Sequence, residues 1–261
     1  DLAGGSDVTS NSTIGSDRDS IAEFRTRKAG VIAGLHVAAA VLESVGILEY
    51  QILVSEGEVV SADQIVLLAE GNTRKVLLAE RTALNFLGRL SGIATLTNQW
   101  VKAVSGSKTK IRDTRKTTPI LRQLEKFAVR AGGGENHRMS LSDAALIKDN
   151  HIVSAGSVAA AFAAVKREHP NISLEVEVDS LEQLEEVISA GANLVLLDNM
   201  SPDMCRKAVE IVRGRAKLEA SGGLTLEKAR EYAETGVDYL AVGALTHSAP
   251  VLDIGLDLRR E

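Results

Sequence analysis

The sequence predicts an α/β protein, in which a small mixed unit is followed by a larger unit of repeated strand–helix pairs. The chain has 261 residues, 44% of them hydrophobic, which is enough for one large core or two modest ones. From Lys108 onward, short apolar runs alternate with helical segments six times. Polar residues follow these runs, as is typical of parallel sheets that carry a ligand site.

The N-terminal unit mixes strands and helices. Residues 1–20 are polar and lack periodicity, so we expect a loop there. A short strand is predicted to lead into a helix over Leu35–Ser44, and Gly57 is a predicted turn between two further strands. Those strands are Glu49–Ser55 and Ile65–Ala69. Thr73–Val104 is predicted as two helices that meet near Ser91-Gly92.

The repeated unit contains six strand candidates and five helices. The strands are Lys110–Asp113, Ala145–Lys148, Leu174–Val178, Leu194–Asp198, Lys217–Ala220 and Tyr239–Val242. The helices are Pro119–Ala131, Val158–Glu168, Leu181–Ala190, Pro202–Arg213 and Leu226–Thr235. Thr118 before Pro119 and Ser180 before Gln183 are helix-start signals. Alternating units of this kind predict a parallel sheet or barrel.

The predicted strand ends carry the polar groups. These are Asp113, Arg115, Lys148, Glu177, Asp198, Glu219, Ser221 and Gly243. Because parallel folds bind ligands at the carboxyl edge of the sheet, the residues predict one site. Alternation along 174–179 places Glu175, Glu177 and Asp179 on one face, which points into the barrel unless this is an edge strand with a solvated face.

Charge is unevenly distributed along the chain. The net charge is −5, yet residues 110–148 hold nine Lys or Arg against four Asp or Glu. Such a cationic segment suits a small anionic substrate. Arg122, Lys126 and Arg130, spaced four apart, are interpreted instead as solvated helix charges.

Composition excludes several classes of function. Aromatic residues make up only 3% of this mildly acidic chain, so a nucleic-acid partner is not expected. Cys205 is the single cysteine, which rules out an internal disulfide and a cysteine-based zinc site. No apolar run approaches the length of a membrane span. A cytoplasmic enzyme without a membrane partner is the expectation.

Two loops are candidates for a phosphate cradle. Ser221-Gly222-Gly223 precedes a helix, and Val242-Gly243-Ala244 ends the next strand. Small residues let backbone N–H groups approach a phosphate, and a helix N-terminus favours the anion. Barrels often bind phosphate in their last two loops.

Carboxylates and cations at the strand ends suit different ligands. Glu177 and Asp198 fit Mg²⁺, acid–base chemistry or a salt bridge to Lys148 or Arg115. Arginine binds carboxylates bidentately, so the cationic segment could hold a dicarboxylate and a polyphosphate. His137 is open to a capping or core role. Lys148 also fits a Schiff-base aldolase.

The motifs closely resemble those of quinolinate phosphoribosyltransferases along essentially the whole chain. They are Asp113-Thr-Arg-Lys-Thr-Thr-Pro119, Arg130-Ala-Gly-Gly-Gly-Glu-Asn-His-Arg138 and Ile147-Lys-Asp-Asn-His151, with support from Ala79–Phe86, Glu175–Val178, Leu197–Met200, Glu219–Gly223 and Asp238–Thr246. The resemblance implies that quinolinate and phosphoribosyl pyrophosphate give nicotinate mononucleotide, pyrophosphate and CO₂, with Mg²⁺, in NAD biosynthesis.

The resemblance also implies a fold and domain boundaries. We expect an N-terminal α/β sandwich over residues 1–105, to which a tail at 251–261 returns. We expect an incomplete α/β barrel of six to seven strands over 106–250. The family has a helix before the segment that matches Asp1–Thr9, so we expect the chain to lack its natural start.

Roles for individual residues follow from the same resemblance. Substrate contacts are implied for Arg81, Thr114, Arg115, Lys116, His137, Arg138 and Lys148. Lys148, Glu177 and Asp198 are the expected catalytic residues, and Glu177 and Asp198 would reach Mg²⁺ directly or through water. The 5′-phosphate would lie on Ser221–Gly223 and Val242–Ala244. Arg81 would come from the partner subunit of a homodimer, with higher oligomers open.

Three other functions stay open on the sequence. A nicotinate-specific transferase would bind a monoanion, whereas the cation set favours a dianion. A divergent relative linked to molybdenum uptake shares the fold, and a non-enzymatic binding module would bind ligand without turnover.

Overall fold

The computed structural model describes residues 1–259, which form two compact units. One unit contains Asp1–Asn98, Phe127–Gly133 and the residues from Ala249 onward. The other contains Gln99–Lys126 and Gly134–Ser248. Within the described residues, no helix is both long and apolar enough to cross a membrane.

The chain begins with short elements that lead into one long helix. The first eight elements are α1 (Val8–Thr13), β1 (Asp19–Thr26), β2 (Gly30–Val31), α2 (Leu35–Ser44), β3 (Glu49–Ile52), β4 (Val59–Val60), β5 (Ile65–Asn72) and α3 (Thr73–Ala103).

Strands and helices then alternate. The elements are β6 (Lys110–Arg112), α4 (Arg122–Ala131), β7 (Ala145–Ile147), α5 (Asp149–Ala155), α6 (Val158–Glu168), β8 (Leu174–Val178), α7 (Leu181–Ser189), β9 (Leu194–Asp198), α8 (Pro202–Val212) and β10 (Lys217–Ser221). A 3₁₀ turn (Leu226–Lys228), α9 (Ala229–Ala233), β11 (Tyr239–Ala241), α10 (Ala244–His247) and β12 (Ile254–Leu258) complete the order.

The first unit is built on an antiparallel sheet with the order β12-β1-β5-β3. Alternate residues of β1, including Ala22 and Phe24, are buried, as expected of a strand with one face on a core. They join Leu42 of α2, Leu67 of β5 and Leu87 of α3 in one hydrophobic cluster.

The second unit is built on six parallel strands in the order β6-β11-β10-β9-β8-β7. β6 and β7 form the two edges, as expected of an incomplete barrel. Leu174, Val176 and Val178 of β8 are buried, which follows their alternation in the sequence. The predicted α/β class and the six strands are confirmed.

Two expectations for the first unit are wrong. Residues 1–20 are not all loop, because α1 begins at Val8. Asp7 caps this helix, and its carboxylate accepts from the backbone N–H groups of Thr9 and Ser10. α3 is one helix rather than two. Ser91 Oγ is buried against the backbone of Ala33, and a Cβ on Gly92 would lie 2.0 Å from the carbonyl oxygen of Pro250. Close packing therefore explains this Ser-Gly pair, and no break occurs there.

Two predicted helices in the second unit also need correction. α4 begins at Arg122 and not at Pro119. Thr118 does not cap it, because its N–H and hydroxyl both donate to the Glu125 carboxylate. The segment after Thr225 forms a 3₁₀ turn before the short α9.

Candidate active site

The carboxyl ends of the six parallel strands surround a cavity of about 610 Å³. This volume lies in the ordinary range for small-molecule sites. Eleven of the predicted site residues line it: Thr114, Arg115, Lys116, His137, Arg138, Lys148, Glu177, Asp198, Ser221, Gly222 and Gly223. The geometry thus brings together residues that are separated by more than 100 positions in the chain.

The remaining predicted residues lie elsewhere. Val242, Gly243 and Ala244 are not among the lining residues, although a Cβ on Gly243 would lie 3.2 Å from the side chain of Lys116. Arg81 projects from α3 of the first unit with its side chain 65% exposed. It lines a separate cavity of about 350 Å³ in that unit.

Lys148 and Glu177 form an ion pair at the mouth of the cavity, with 2.5 Å between Nζ and Oε2. β7 ends immediately before Lys148, and Glu177 lies near the end of neighbouring β8. The salt bridge was one of the interpretations that the sequence left open for this carboxylate.

Asp198 lies at the end of β9, beside the glycine loop. The register pairs it with Ser221, and its Oδ2 accepts a hydrogen bond from Asn199 Nδ2 at 2.8 Å. A Cβ on Gly222, whose φ is +92°, would lie 2.1 Å from Asn199 Oδ1. Only glycine therefore fits at Gly222, whereas Gly223 faces open space. Asn199 also lines the cavity; it lies in the motif Leu197–Met200, but the sequence predicted no role for it.

Two arginines in the cavity have donor atoms without protein acceptors. Within residues 1–259, the buried Nε atoms of Arg115 and Arg138 make no hydrogen bond. Burial and the nearby charge of Arg115 lower the pKa of Arg138 below its ordinary value. Because an unsatisfied buried donor is unfavourable, an anion in the cavity would stabilise these guanidinium groups.

A buried ion pair lies behind the cationic loops. Lys126 Nζ donates to Asp113 Oδ1 at 2.5 Å, and both side chains are fully buried. Burial raises the pKa of Asp113 and lowers that of Lys126. The interpretation of Lys126 as a solvated helix charge is therefore wrong. The spacing of charges along the helix could not indicate this burial, because the partner carboxylate, Asp113, lies directly after β6.

A second buried cluster joins four charged or titratable groups. His137 Nε2 lies 2.7 Å from Glu175 Oε2 and 3.5 Å from Glu219 Oε1. Arg112 donates to Glu219 at 2.9 Å and stacks over the ring of Tyr239. Burial and the charge of Glu175 raise the pKa of Glu219 to about 7.

Comparisons with known proteins identify the family. Residues 7–91 match the quinolinate phosphoribosyl transferase N-terminal domain, and residues 93–257 match the C-terminal domain. This chain belongs to the quinolinate phosphoribosyltransferase family. The match extends over both units, so the aldolase and binding-module interpretations are set aside, and the chain is assigned to a family of glycosyl-transferring enzymes.

Individual family members agree with this assignment over nearly their whole length. A nicotinate-nucleotide pyrophosphorylase (carboxylating) from Mycobacterium leprae is 50% identical, with 99% of this chain and 93% of that protein covered. A probable enzyme of the same name from Bacillus subtilis is 40% identical, with 98% and 89% covered. The structure of the nicotinate-nucleotide pyrophosphorylase from Francisella tularensis superimposes with a TM-score of 0.95 at 42% identity, with 99% and 92% covered.

Two groups of side chains in this chain are candidates for a metal site. Glu177 and Asp198 provide oxygen donors at the cavity, which suits Mg²⁺. His137, Glu175 and Glu219 place three potential ligand atoms within 4.8 Å of one another. The second group fits a divalent cation poorly, because Glu219 already accepts from the Arg112 guanidinium and His137 Nε2 already contacts Glu175.

Proposed function

We propose that this protein transfers a phosphoribosyl group from phosphoribosyl pyrophosphate to quinolinate. The products are nicotinate mononucleotide, pyrophosphate and CO₂, and the reaction serves de novo NAD biosynthesis in the cytoplasm. One observation carries the proposal: Arg115 and Arg138 share a cavity and lack acceptors for their buried Nε atoms. A dicarboxylate would pair with the two guanidinium groups, which bind carboxylates in a fixed fork geometry.

The rest of the cavity suits the second substrate. The loop Ser221–Gly223 offers backbone N–H groups without side-chain obstruction, which supports a 5′-phosphate site. Val242–Ala244 would complete that site from the neighbouring strand end. Lys116, next to Gly243, and Lys148 would stabilise the negative charge of the departing pyrophosphate.

Bond breaking leaves positive charge on the ribose. Glu177 and Asp198 are the carboxylates placed to stabilise that oxocarbenium-like centre. When Mg²⁺ is bound, it supplies charge neutralisation for pyrophosphate, and Glu177 and Asp198 would hold it directly or through water. Lys148 must then exchange its contact with Glu177 for contacts with substrate, so we assign it electrostatic and binding roles.

Decarboxylation follows from the chemistry of the ring. Transfer of ribose to the ring nitrogen creates a pyridinium. When the adjacent carboxylate departs as CO₂, the electron pair stays on C2, where the positive ring nitrogen stabilises it, and C2 then takes up a proton from solvent. No protein base is required for that step. The arginines therefore act by orienting the two carboxylates of quinolinate, and a nicotinate monoanion would leave one set of donors unpaired.

The complete site is proposed to include Arg81 from a second copy of the chain. Its exposed position on α3 leaves it available to a partner. Mixing equal amounts of the Arg81→Ala and Lys148→Ala variants, each inactive alone, should restore about a quarter of the activity. Random exchange makes about half of the dimers hybrids, and one of the two sites in each hybrid is intact. Arg81→Ala protein alone, taken through the same exchange procedure, is the control and should recover no activity. Absence of recovery despite demonstrated subunit exchange would argue against a shared site.

The proposed reaction is tested by release of labelled CO₂ from quinolinate labelled in its 2-carboxylate. Release should require phosphoribosyl pyrophosphate and Mg²⁺, and nicotinate mononucleotide should form in equal amount. Nicotinate serves as the control acceptor, since its turnover would show a transferase for the monoanion. Lack of release from folded protein with both substrates would overturn the proposal.

A further inference from the structure

His137 lines the cavity, yet its hydrogen-bonding groups are all bound to protein. Its N–H donates to Asp113 Oδ1 at 2.8 Å, and its carbonyl oxygen accepts from Lys126 Nζ at 2.9 Å. The two ring nitrogens are engaged as well. Nδ1 accepts from the backbone N–H of Arg138 at 2.8 Å, and Nε2 lies 2.7 Å from Glu175 Oε2.

These contacts determine which ring nitrogen carries the proton. Nδ1 needs a lone pair to accept from the Arg138 N–H, so the ring proton is on Nε2. Glu175, which is 3% exposed, is then the acceptor for Nε2–H. A neutral ring in this tautomer satisfies both contacts, whereas a metal ion on Nε2 would displace the Glu175 contact.

The His137 ring also holds the backbone N–H of Arg138. Its contact with the Arg138 N–H holds the backbone where the chain turns into the cavity. The Arg138 guanidinium donates from Nη1 to the carbonyl oxygen of Ala144 at 3.1 Å. Its Nε keeps no acceptor among the described residues, so the direction of this group depends on the Ala144 contact and on the backbone that the ring holds.

We propose that His137 is a positioning residue: Glu175 holds it as the Nε2–H tautomer, and the ring fixes the direction in which Arg138 meets an anionic substrate. The ring nitrogens make no hydrogen bond to that substrate. The inference rests on the proposed function only in taking quinolinate as the anion. It replaces the substrate contact that the family resemblance implied for His137.

Two substitutions separate a positioning role from a direct contact. The amide oxygen of asparagine can replace Nδ1, and the amide nitrogen of glutamine can replace Nε2. His137→Ala should weaken quinolinate binding about tenfold, the usual scale for one lost hydrogen bond. His137→Asn should recover most of that loss and His137→Gln little. Binding of inorganic pyrophosphate, the internal control, should stay within about twofold of the unaltered protein. Recovery by His137→Gln and not by His137→Asn would overturn the inference.

The tautomer is measured independently of substrate and of activity. ¹⁵N NMR of imidazole-labelled protein should show Nδ1 without and Nε2 with a proton, unchanged when quinolinate is added. The His137 signals are assigned by their loss in the His137→Asn spectrum, or from a Glu175→Gln variant if that protein does not fold. Protonation of Nδ1, a shift of either nitrogen on adding quinolinate, or broadening by Mn²⁺ alone would each contradict the proposal. Failure of quinolinate to bind would overturn the proposed function, while the ligand-free spectrum still decides the tautomer.

Discussion

Two ion pairs of the second unit have the same N–O distance, 2.5 Å, in opposite surroundings. Lys126 and Asp113 are fully buried, whereas Lys148 and Glu177 are 46% and 14% exposed. Water screens the second pair and is absent from the first, so the same contact has different consequences. The buried pair fixes the loops that carry Arg115 and Arg138. The exposed pair can open, which would suit the substrate contacts proposed for Lys148 and Glu177.

The buried pair should give the largest effect when one partner is removed. Lys126→Met leaves the Asp113 carboxylate buried without its cation, and should lower the free energy of unfolding by about 3–5 kcal/mol. Urea unfolding measures the change. Lys207→Met, the matched control at an exposed position of α8, should alter it by less than about 0.5 kcal/mol. Similar losses from both variants would show that burial of Lys126 carries no special cost.

Buried Glu219 extends the comparison of buried and exposed charges, because it should make the free energy of unfolding depend on pH. Its pKa rises from 4.5 to about 7 in the folded protein. Between these pH values the folded protein keeps a proton that the unfolded chain has released, so the free energy of unfolding falls as pH rises. The fall should be on the order of 3 kcal/mol across that window. Unfolding curves should lose this part of the slope in Glu219→Gln, and an unchanged slope would contradict the assignment.

The exposed pair should affect activity rather than stability. Lys148→Met removes a charge at the cavity mouth and should lower the rate of CO₂ release about 100-fold. The free energy of unfolding should change by less than about 1 kcal/mol, because the pair is partly solvated. Steady-state assays and urea unfolding of the same preparation separate the two effects. A stability loss as large as that of Lys126→Met would erase the distinction between the pairs.

A third ion pair should give the smallest effect on stability and activity. Arg206 and Asp203, one turn apart on α8, form an exposed ion pair away from the cavity. Arg206→Ala should change the free energy of unfolding by less than about 0.5 kcal/mol and leave CO₂ release unaltered. Loss of activity in this variant would indicate that surface charge at a distance supports catalysis, contrary to the local explanation given for Lys148.

The sequence by itself determined the parts that depend on local patterns. Alternation of apolar residues predicted β8, and a serine cap located the start of α7 at Leu181. Because all parallel strands end at one edge of their sheet, the strand pattern alone was enough to assign Glu177, Asp198 and Ser221 to one site. The arginines and lysines of the cavity were predicted from their charge together with the family motifs.

Tertiary structure decided the features whose partners are distant in the chain. The spacing of Lys126 along its helix predicted a solvent-exposed side chain. In the folded chain Lys126 is buried and pairs with Asp113. Ser91-Gly92 resembled a helix break, until packing against Ala33 and Pro250 explained both residues. The contact between His137 and Glu175 likewise joins residues that are 38 positions apart. Local propensity determines which elements form, whereas burial and charge pairing are set by neighbours that only the folded chain brings together.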